Sequence, residues 1–165
     1  MSKYSAEKIR KEIKRIGCPK EYYRIDLKAL FDHDYTILLS IRQDAGKTTS
    51  ALLTGLLMFA TYGTVTEYLR NDEAQIRQKE IENLYDVIKK YGYIEKIFKG
   101  RWNDIEYFPR SRKFKLCKTE VDEDGQIKKE YYEDKAVCFV HSNENWKNMK
   151  SSFSDPFGDF IILDE

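Results

Sequence analysis

Residues 35–62 read YTILLSIRQDAGKTTSALLTGLLMFATY, and this stretch decides the fold class of the chain. The apolar run 35–39 has the composition of a strand that is buried on both faces of a sheet. A loop through Gly46 follows, and residues 48–62 are apolar almost all round, which predicts a central helix. Gly63 directly after them is typical of a helix C-terminus. A buried strand, a loop and a buried helix in this order predict an α/β fold.

The loop contains Gly46-Lys47-Thr48, the core of a phosphate-binding loop. A helix N-terminus presents free N–H groups and a partial positive charge to phosphate oxygens, and glycine lets the backbone approach them. Lys47 is then expected to reach the β- and γ-phosphates, and the Thr48 hydroxyl to bind Mg²⁺. The sequence departs from the usual GxxxxGK[ST] pattern, because Ile41 replaces the first glycine. Ser40 lies one step earlier, which is consistent with a loop one residue longer.

The stretch Phe160-Ile161-Ile162-Leu163-Asp164-Glu165 predicts a buried strand that ends on two carboxylates. Ligands of open α/β sheets bind at the carboxyl ends of the strands, so both acids are candidate site residues. We expect Asp164 to hold Mg²⁺ through a water molecule. We expect Glu165 to orient and activate the attacking water. Successive strand residues point to opposite faces, which allows two neighbouring acids to have two roles.

The N-terminal residues predict an amphipathic helix. Ile9, Ile13 and Ile16 recur at helical spacing, Ser5 is a typical N-cap, and Gly17 ends the pattern. A contact with DNA phosphates or with a neighbouring subunit stays open for the basic outer face of this helix, and a solvated surface is the favoured interpretation. That face carries Lys8, Arg10, Lys11, Lys14 and Arg15.

A second strand and a long helix are predicted after the central helix. Residues 64–69 are β-branched and aromatic, which is typical of a strand. The helix is predicted to begin at Asn71 or Asp72, to continue to Tyr91 and to stop at Gly92. Its buried face is predicted to consist of Ile81, Leu84, Ile88 and Tyr91.

Between residues 102 and 141 the pattern changes to short strands. Asp124-Gly125 is a typical hairpin turn between the predicted strands 113–121 and 126–132. Residues 136–140 return to the composition of a buried strand. With the strand–helix–strand–helix order before it, this pattern predicts a mainly parallel sheet and an antiparallel hairpin excursion.

Composition excludes several classes of protein. The chain has 165 residues, with 29 Lys and Arg against 28 Asp and Glu, which excludes a histone-like cation. Its three cysteines form no CxxC pair, and its two histidines complete no zinc spacing, so we interpret the cysteines as reduced structural thiols. The longest uncharged run, residues 48–66, carries many threonines and is interpreted as a helix and a strand, not as a membrane span.

Residues 42–49, RQDAGKTT, resemble the Walker A loop of viral genome-packaging ATPases of the terminase large-subunit type, which often lacks the first glycine. The later order is also similar, with an apolar strand at 137–140, a polar loop, and an apolar strand that closes on Asp164-Glu165. The whole order is most similar to the compact packaging ATPases of small, short-tailed bacteriophages. Arg70, just after the second predicted strand, matches an arginine-bearing segment of that family.

This resemblance implies a RecA-like P-loop domain of the ASCE type that uses ATP and Mg²⁺. It implies an ATPase core at 35–165 with a hairpin insertion at about 102–135, preceded by a helical lead-in segment at 1–34. The implied catalytic residues are Lys47, Glu165 and Arg42, with Arg42 acting on the nucleotide in cis. The implied metal ligands are Thr48 and Asp164. The implied nucleotide-binding residues are Gln43, Asp44, Ala45, Gly46, Lys47, Thr48 and Thr49.

The function implied by the resemblance is an ATP-driven motor that moves double-stranded DNA into a viral procapsid. The implied partners are double-stranded DNA, further copies of the chain in a ring, and the portal of the procapsid. The implied location is the host cytoplasm, with no membrane. The chain is then expected to be an N-terminal ATPase fragment, with a trans arginine finger and a C-terminal domain beyond Glu165.

Other functions stay open at this point. A small P-loop kinase or a helicase-like ATPase would share the same loop, and a degenerate, non-enzymatic nucleotide-binding module would account for the lost first glycine. Tyr22, Tyr23 and Tyr35 lie upstream of the loop, where adenine docks in this class, but core packing is favoured for each of them.

We predict that Glu165→Gln leaves ATP binding intact in the full-length protein and lowers ATP turnover by about 10²–10⁴-fold, the usual contribution of a positioned base. The measurement is phosphate release with and without double-stranded DNA, beside a binding titration. An equal loss of ATP binding would contradict the proposed role of Glu165.

Overall fold

The computed structural model describes residues 4–19, 23, 25–33, 46–71, 78–142 and 160–164, and within these ranges the chain has an α/β fold. The helices are α1 (Ala6–Ile16), α2 (Leu27–Asp32), α3 (Lys47–Tyr62), α4 (Gln78–Glu82), α5 (Asp86–Lys90) and α6 (Tyr93–Ile97), with 3₁₀ turns at Asn83–Tyr85 and Pro109–Ser111. The strands are β1 (Thr66–Arg70), β2 (Asp104–Phe108), β3 (Lys113–Val121), β4 (Ile127–Tyr131), β5 (Cys138–Ser142) and β6 (Phe160–Asp164).

The central helix predicted from the sequence is confirmed as α3. Every residue from Ser50 to Phe59 is buried, so the helix is enclosed on all sides. It packs on β1 and β6 and is covered by α1, α5 and α6. Gly63 ends it in the left-handed conformation, as its position in the sequence predicted.

The sheet is open and mixed, in the order β2-β3-β5-β1-β6, with β4 paired to β3. β1 is parallel to both β5 and β6, whereas the pairs β2–β3, β3–β4 and β3–β5 are antiparallel. The prediction of a mainly parallel sheet is therefore wrong for the described strands. The reason is that the hairpin excursion belongs to the same sheet and is not a separate insertion. Through β3 it adds antiparallel strands to the edge of the same sheet at β5.

The predicted hairpin itself is confirmed. Strands β3 and β4 pair from Cys117↔Tyr131 to Val121↔Ile127. In the turn, Asp122 accepts hydrogen bonds at Oδ1 from the backbone N–H groups of Asp124 and Gln126, at 3.1 and 2.8 Å. Gly125 takes the left-handed conformation that this turn requires.

The predicted N-terminal helix is confirmed as α1. The Ser5 hydroxyl accepts from the Lys8 N–H, and Gly17 closes the helix with a left-handed φ of 70°. Ile9 and Ile16 are buried in the core. The Arg15 guanidinium donates to the carbonyls of Lys96 and Ile97, which joins α1 to the end of α6.

The long helix predicted to end at Tyr91 is broken in the structure. A 3₁₀ turn at Asn83–Tyr85 separates α4 from α5. Residues in a 3₁₀ turn advance about 120° each, against about 100° in an α-helix, and Tyr85 is the residue of the turn that points into the core. Tyr85 is fully buried, whereas Leu84, predicted to be buried, is only partly so. Tyr91, also predicted to be buried, follows the last residue of α5 and is 44% exposed. Ile81 and Ile88 are buried as predicted.

A buried polar pair lies on the sheet face that points away from α3. Glu67 Oε2 and His141 Nε2 are 2.7 Å apart, and both side chains are almost completely buried. On the same face, Ile161 and Leu163 of the edge strand β6 are 53% and 64% exposed. Burial of a carboxylate is tolerated only with a partner, which explains why Glu67 and His141 lie together.

We predict that Gly55→Ala destabilises the fold, although alanine favours a helix interior by about 1 kcal/mol. A Cβ at Gly55 would lie 2.3 Å from Thr66 Oγ1, and overpacking of this kind typically costs about 1–3 kcal/mol. In the double variant Gly55→Ala/Thr66→Ala the clash is removed, so the two effects on the free energy of unfolding should not add. Urea unfolding of both single variants and the double variant measures this. Additive effects would contradict the proposed contact.

Candidate functional site

The N-terminus of α3 faces the carboxyl end of β6. Gly46 precedes the first helical residue with a φ of 72°, a left-handed conformation that glycine adopts without strain. Its carbonyl accepts from both the N–H and the hydroxyl of Ser50, at 2.8 and 2.7 Å. Gly46 has no side chain with which to cap this helix, and the N–H groups of a first helical turn are suited to binding an anion.

A direct contact joins the helix to the strand. Thr48 Oγ1 donates a 2.9 Å hydrogen bond to Asp164 Oδ2, although the two residues are 116 positions apart in the sequence. Both residues were predicted as magnesium ligands from separate motifs. The fold brings them together at the point where α3 begins and β6 ends.

Strand β1 adds two side chains to this contact. Its register with β6 places Tyr68 opposite Ile162 and Arg70 opposite Asp164. The Tyr68 hydroxyl donates to Asp164 Oδ2 at 2.6 Å and accepts from Arg70 Nε at 3.0 Å. Arg70 also lies 3.6 Å from the same carboxylate oxygen through one terminal guanidinium nitrogen.

The electrostatics of the cluster favour a protonated phenol. Burial, followed by the hydrogen bond to Asp164 and the charge of that carboxylate, raises the pKa of Tyr68 well above its ordinary value. The hydroxyl therefore remains a donor at neutral pH. The Arg70 guanidinium balances the negative charge of Asp164, and each of these two side chains is about one-quarter exposed.

The predicted site residues are distributed as follows. Gly46, Lys47, Thr48 and Thr49 lie at the start of α3, and all four are half-buried. Asp164 ends β6. Outside the described residues are the predicted strand 35–39, the alternative helix start Asp72, and the site residues Arg42, Gln43, Asp44, Ala45 and Glu165.

One of the three candidate adenine-stacking tyrosines can be followed in the structure. Tyr23 packs against the hydrophobic core, and its hydroxyl is 2.8 Å from Thr54 Oγ1 of α3. The prediction of core packing is confirmed for Tyr23. Tyr22 and Tyr35 lie outside the described residues.

Sequence reasoning missed Tyr68 as a site residue and found Arg70 only through the resemblance. A signal was present, because Thr66, Tyr68 and Arg70 alternate along one strand and thus share a face. A phenol and a guanidinium at the end of a buried strand need polar partners. The partner was not readable from the sequence, since it depends on the pairing of β1 with β6.

No family model, curated protein or solved structure matches this chain significantly. Among the described residues, no three His, Cys, Asp or Glu side chains form a group that could hold a metal ion. No helix in the described ranges is long and apolar enough to cross a membrane.

We predict that Thr48→Val lowers the free energy of unfolding by about 1.5–3 kcal/mol, because a hydrogen bond to a charged group is lost while side-chain volume is kept. The measurement is urea unfolding without nucleotide or divalent cation. Thr49→Val, at the next position of the same helix turn, is the matched control and should have a smaller effect. Equal effects of the two substitutions would show that the Thr48–Asp164 contact contributes nothing specific.

Proposed function

We propose that this chain is a Mg²⁺-dependent P-loop ATPase with a RecA-like fold. The observation that carries the proposal is the 2.9 Å contact between Thr48 and Asp164 at the N-terminus of α3. This contact joins the Gly-Lys-Thr sequence at the start of α3 to a carboxylate at the end of the parallel strand β6. These are the two parts that an NTPase needs for the phosphates and for the metal.

Phosphate binding is attributed to the start of α3. Gly46 keeps the backbone free of a side chain, and the first N–H groups of the helix carry the positive end of its dipole. Lys47, the first residue of the helix, supplies a full positive charge at the same end. This combination favours a polyphosphate over a neutral ligand.

The oxygen atoms of Thr48 and Asp164 fit a magnesium ion. Mg²⁺ prefers hard oxygen ligands, and the hydroxyl of Thr48 and the carboxylate of Asp164 are oxygen groups of this kind. The observed separation of Thr48 Oγ1 and Asp164 Oδ2 is 2.9 Å. Magnesium in such sites takes one or two carboxylates plus substrate phosphates, so a larger group of acids is not required. When bound, the ion would neutralise developing charge on the phosphates.

The chemical step is attributed to Glu165, which follows Asp164 in the sequence. A carboxylate at this position is proposed to hold the attacking water and to accept its proton. Arg42 is proposed to act on the nucleotide phosphates from the same chain. Both roles come from the sequence motifs and from the resemblance.

The resemblance to viral genome-packaging ATPases extends the proposal to a motor on double-stranded DNA. In that function the chain acts in a ring at the portal of a procapsid in the host cytoplasm. Stimulation of ATP hydrolysis by double-stranded DNA separates this function from a small P-loop kinase, which would instead transfer phosphate to a small acceptor. Binding of ATP without hydrolysis would favour the non-enzymatic module.

We predict that Lys47→Ala weakens binding of Mg²⁺–ATP by about 10–100-fold, because a charge-assisted hydrogen bond to phosphate contributes about 1.5–3 kcal/mol. The measurement is calorimetric titration of the chain with ATP in the presence of Mg²⁺. Lys28→Ala is the control, since Lys28 is an exposed lysine in the first turn of another helix, α2.

The control variant should bind like the unmodified chain. Saturable binding that survives Lys47→Ala would contradict the assignment of the phosphate site to α3. The absence of binding in all three proteins would contradict the proposed function itself.

A further inference from the structure

Tyr68 is the most deeply buried member of the Thr48–Asp164–Tyr68–Arg70 cluster. It has no solvent exposure, and β1 holds it between its parallel neighbours β5 and β6. The ring packs in the hydrophobic core, while the hydroxyl reaches Asp164. Its polar end is therefore fixed by the same packing that fixes the sheet.

The direction of the hydrogen bonds in the cluster is determined by their chemistry. Arg70 Nε can only donate, so the lone pair of the phenolic oxygen that faces it is an acceptor. The single hydrogen of the phenol is then left for Asp164 Oδ2, at 2.6 Å. Arg70 thus holds Tyr68 in one orientation, and Tyr68 holds the carboxylate.

We propose that Tyr68 is a positioning residue for the metal ligand Asp164, an inference that rests on the proposed function. The Thr48 hydroxyl also holds Asp164 in this structure. When the ion binds, the Thr48 hydroxyl would become one of its ligands. The buried phenol binds no ion and would hold the carboxylate with and without the metal.

The hydroxyl of Tyr68 is a feature that packing alone leaves unexplained. Phenylalanine would fill the same volume in β1 without a buried hydroxyl that needs two partners. Partners that orient a ligating carboxylate typically contribute about 10–100-fold to metal affinity. Tyr68 has the burial, the distance and the fixed donor direction that such a role requires.

We predict that Tyr68→Phe raises the apparent dissociation constant for Mg²⁺ by about 10–100-fold at saturating ATP, and leaves ATP binding in EDTA unchanged. The measurement is a Mg²⁺ titration by calorimetry, repeated with Mn²⁺ followed by its paramagnetic resonance signal. Tyr131→Phe is the matched control. Tyr131 donates a hydrogen bond of the same length, 2.6 Å, to Glu106 in the antiparallel part of the sheet.

The comparison with Asp164→Asn separates this inference from the proposed function. If Tyr68 acts through Asp164, Tyr68→Phe has no further effect on Mg²⁺ affinity in the Asp164→Asn background. If Asp164→Asn weakens Mg²⁺ binding and Tyr68→Phe does not, the positioning role is overturned. If Asp164→Asn itself leaves Mg²⁺ binding unchanged, the proposed metal site is overturned.

A loss of folding in Tyr68→Phe is monitored by its urea midpoint. If Tyr68→Phe is unfolded, excess ATP at low temperature restores a folded population. The Mg²⁺ titration is then compared between Tyr68→Phe and Tyr131→Phe under these conditions. An equal loss of Mg²⁺ affinity in both tyrosine variants would show a general effect of stability and would overturn the positioning role.

Discussion

The structure depends on the burial of α3, which has no polar face. From Ser50 to Phe59 each residue of this helix is enclosed, and Leu52, Leu53, Leu56 and Leu57 are almost completely inaccessible to solvent. Burial of each such leucine contributes about 1.5–3 kcal/mol, so the helix must be covered on every side. The sheet covers one side through β1 and β6, and α1, α5 and α6 cover the remainder. The polar start of α3 is then the part that reaches the edge of the core.

This enclosure also explains where the polar cluster forms. The hydroxyl groups of Ser50 and Thr54 turn back onto the carbonyls of Gly46 and Ser50 within the helix, so they need no partner in the sheet. The Thr48 hydroxyl instead lies two residues before the buried segment and reaches Asp164. A rigid apolar helix and a strand of the same core therefore hold the two oxygen atoms at a fixed separation. Side chains held in this way are better placed for a metal than side chains on a loop.

Elements with a local cause were predictable from the sequence. Ser5 and Gly17 delimit α1, the apolar composition of residues 48–62 gives α3, and Asp124-Gly125 gives the hairpin. Features that depend on distant pairing were not. The antiparallel contact of β3 with β5 changed the character of the sheet, and the pairing of β1 with β6 brought Tyr68 to Asp164. The sequence singled out Thr48 and Asp164, which the structure brings into contact, but it missed Tyr68, because no spacing along the chain encodes the contact of Tyr68 with Asp164.

The change of strand direction within the sheet limits where the site can lie. Arg70, Ser142 and Asp164 occupy one row of the register, because β1, β5 and β6 are parallel and end at the same edge. On the other side of β5 the neighbouring strand β3 runs in the opposite direction, so its carboxyl end lies at the other edge of the sheet. β1 is the only described strand with a parallel neighbour on both sides, and its last residue is central in the row. The positive charge of Arg70, at the end of this strand, balances the negative charge of Asp164 beside it. An apolar residue in place of Arg70 would leave that carboxylate with hydroxyl partners alone, which explains why a buried strand ends on an arginine.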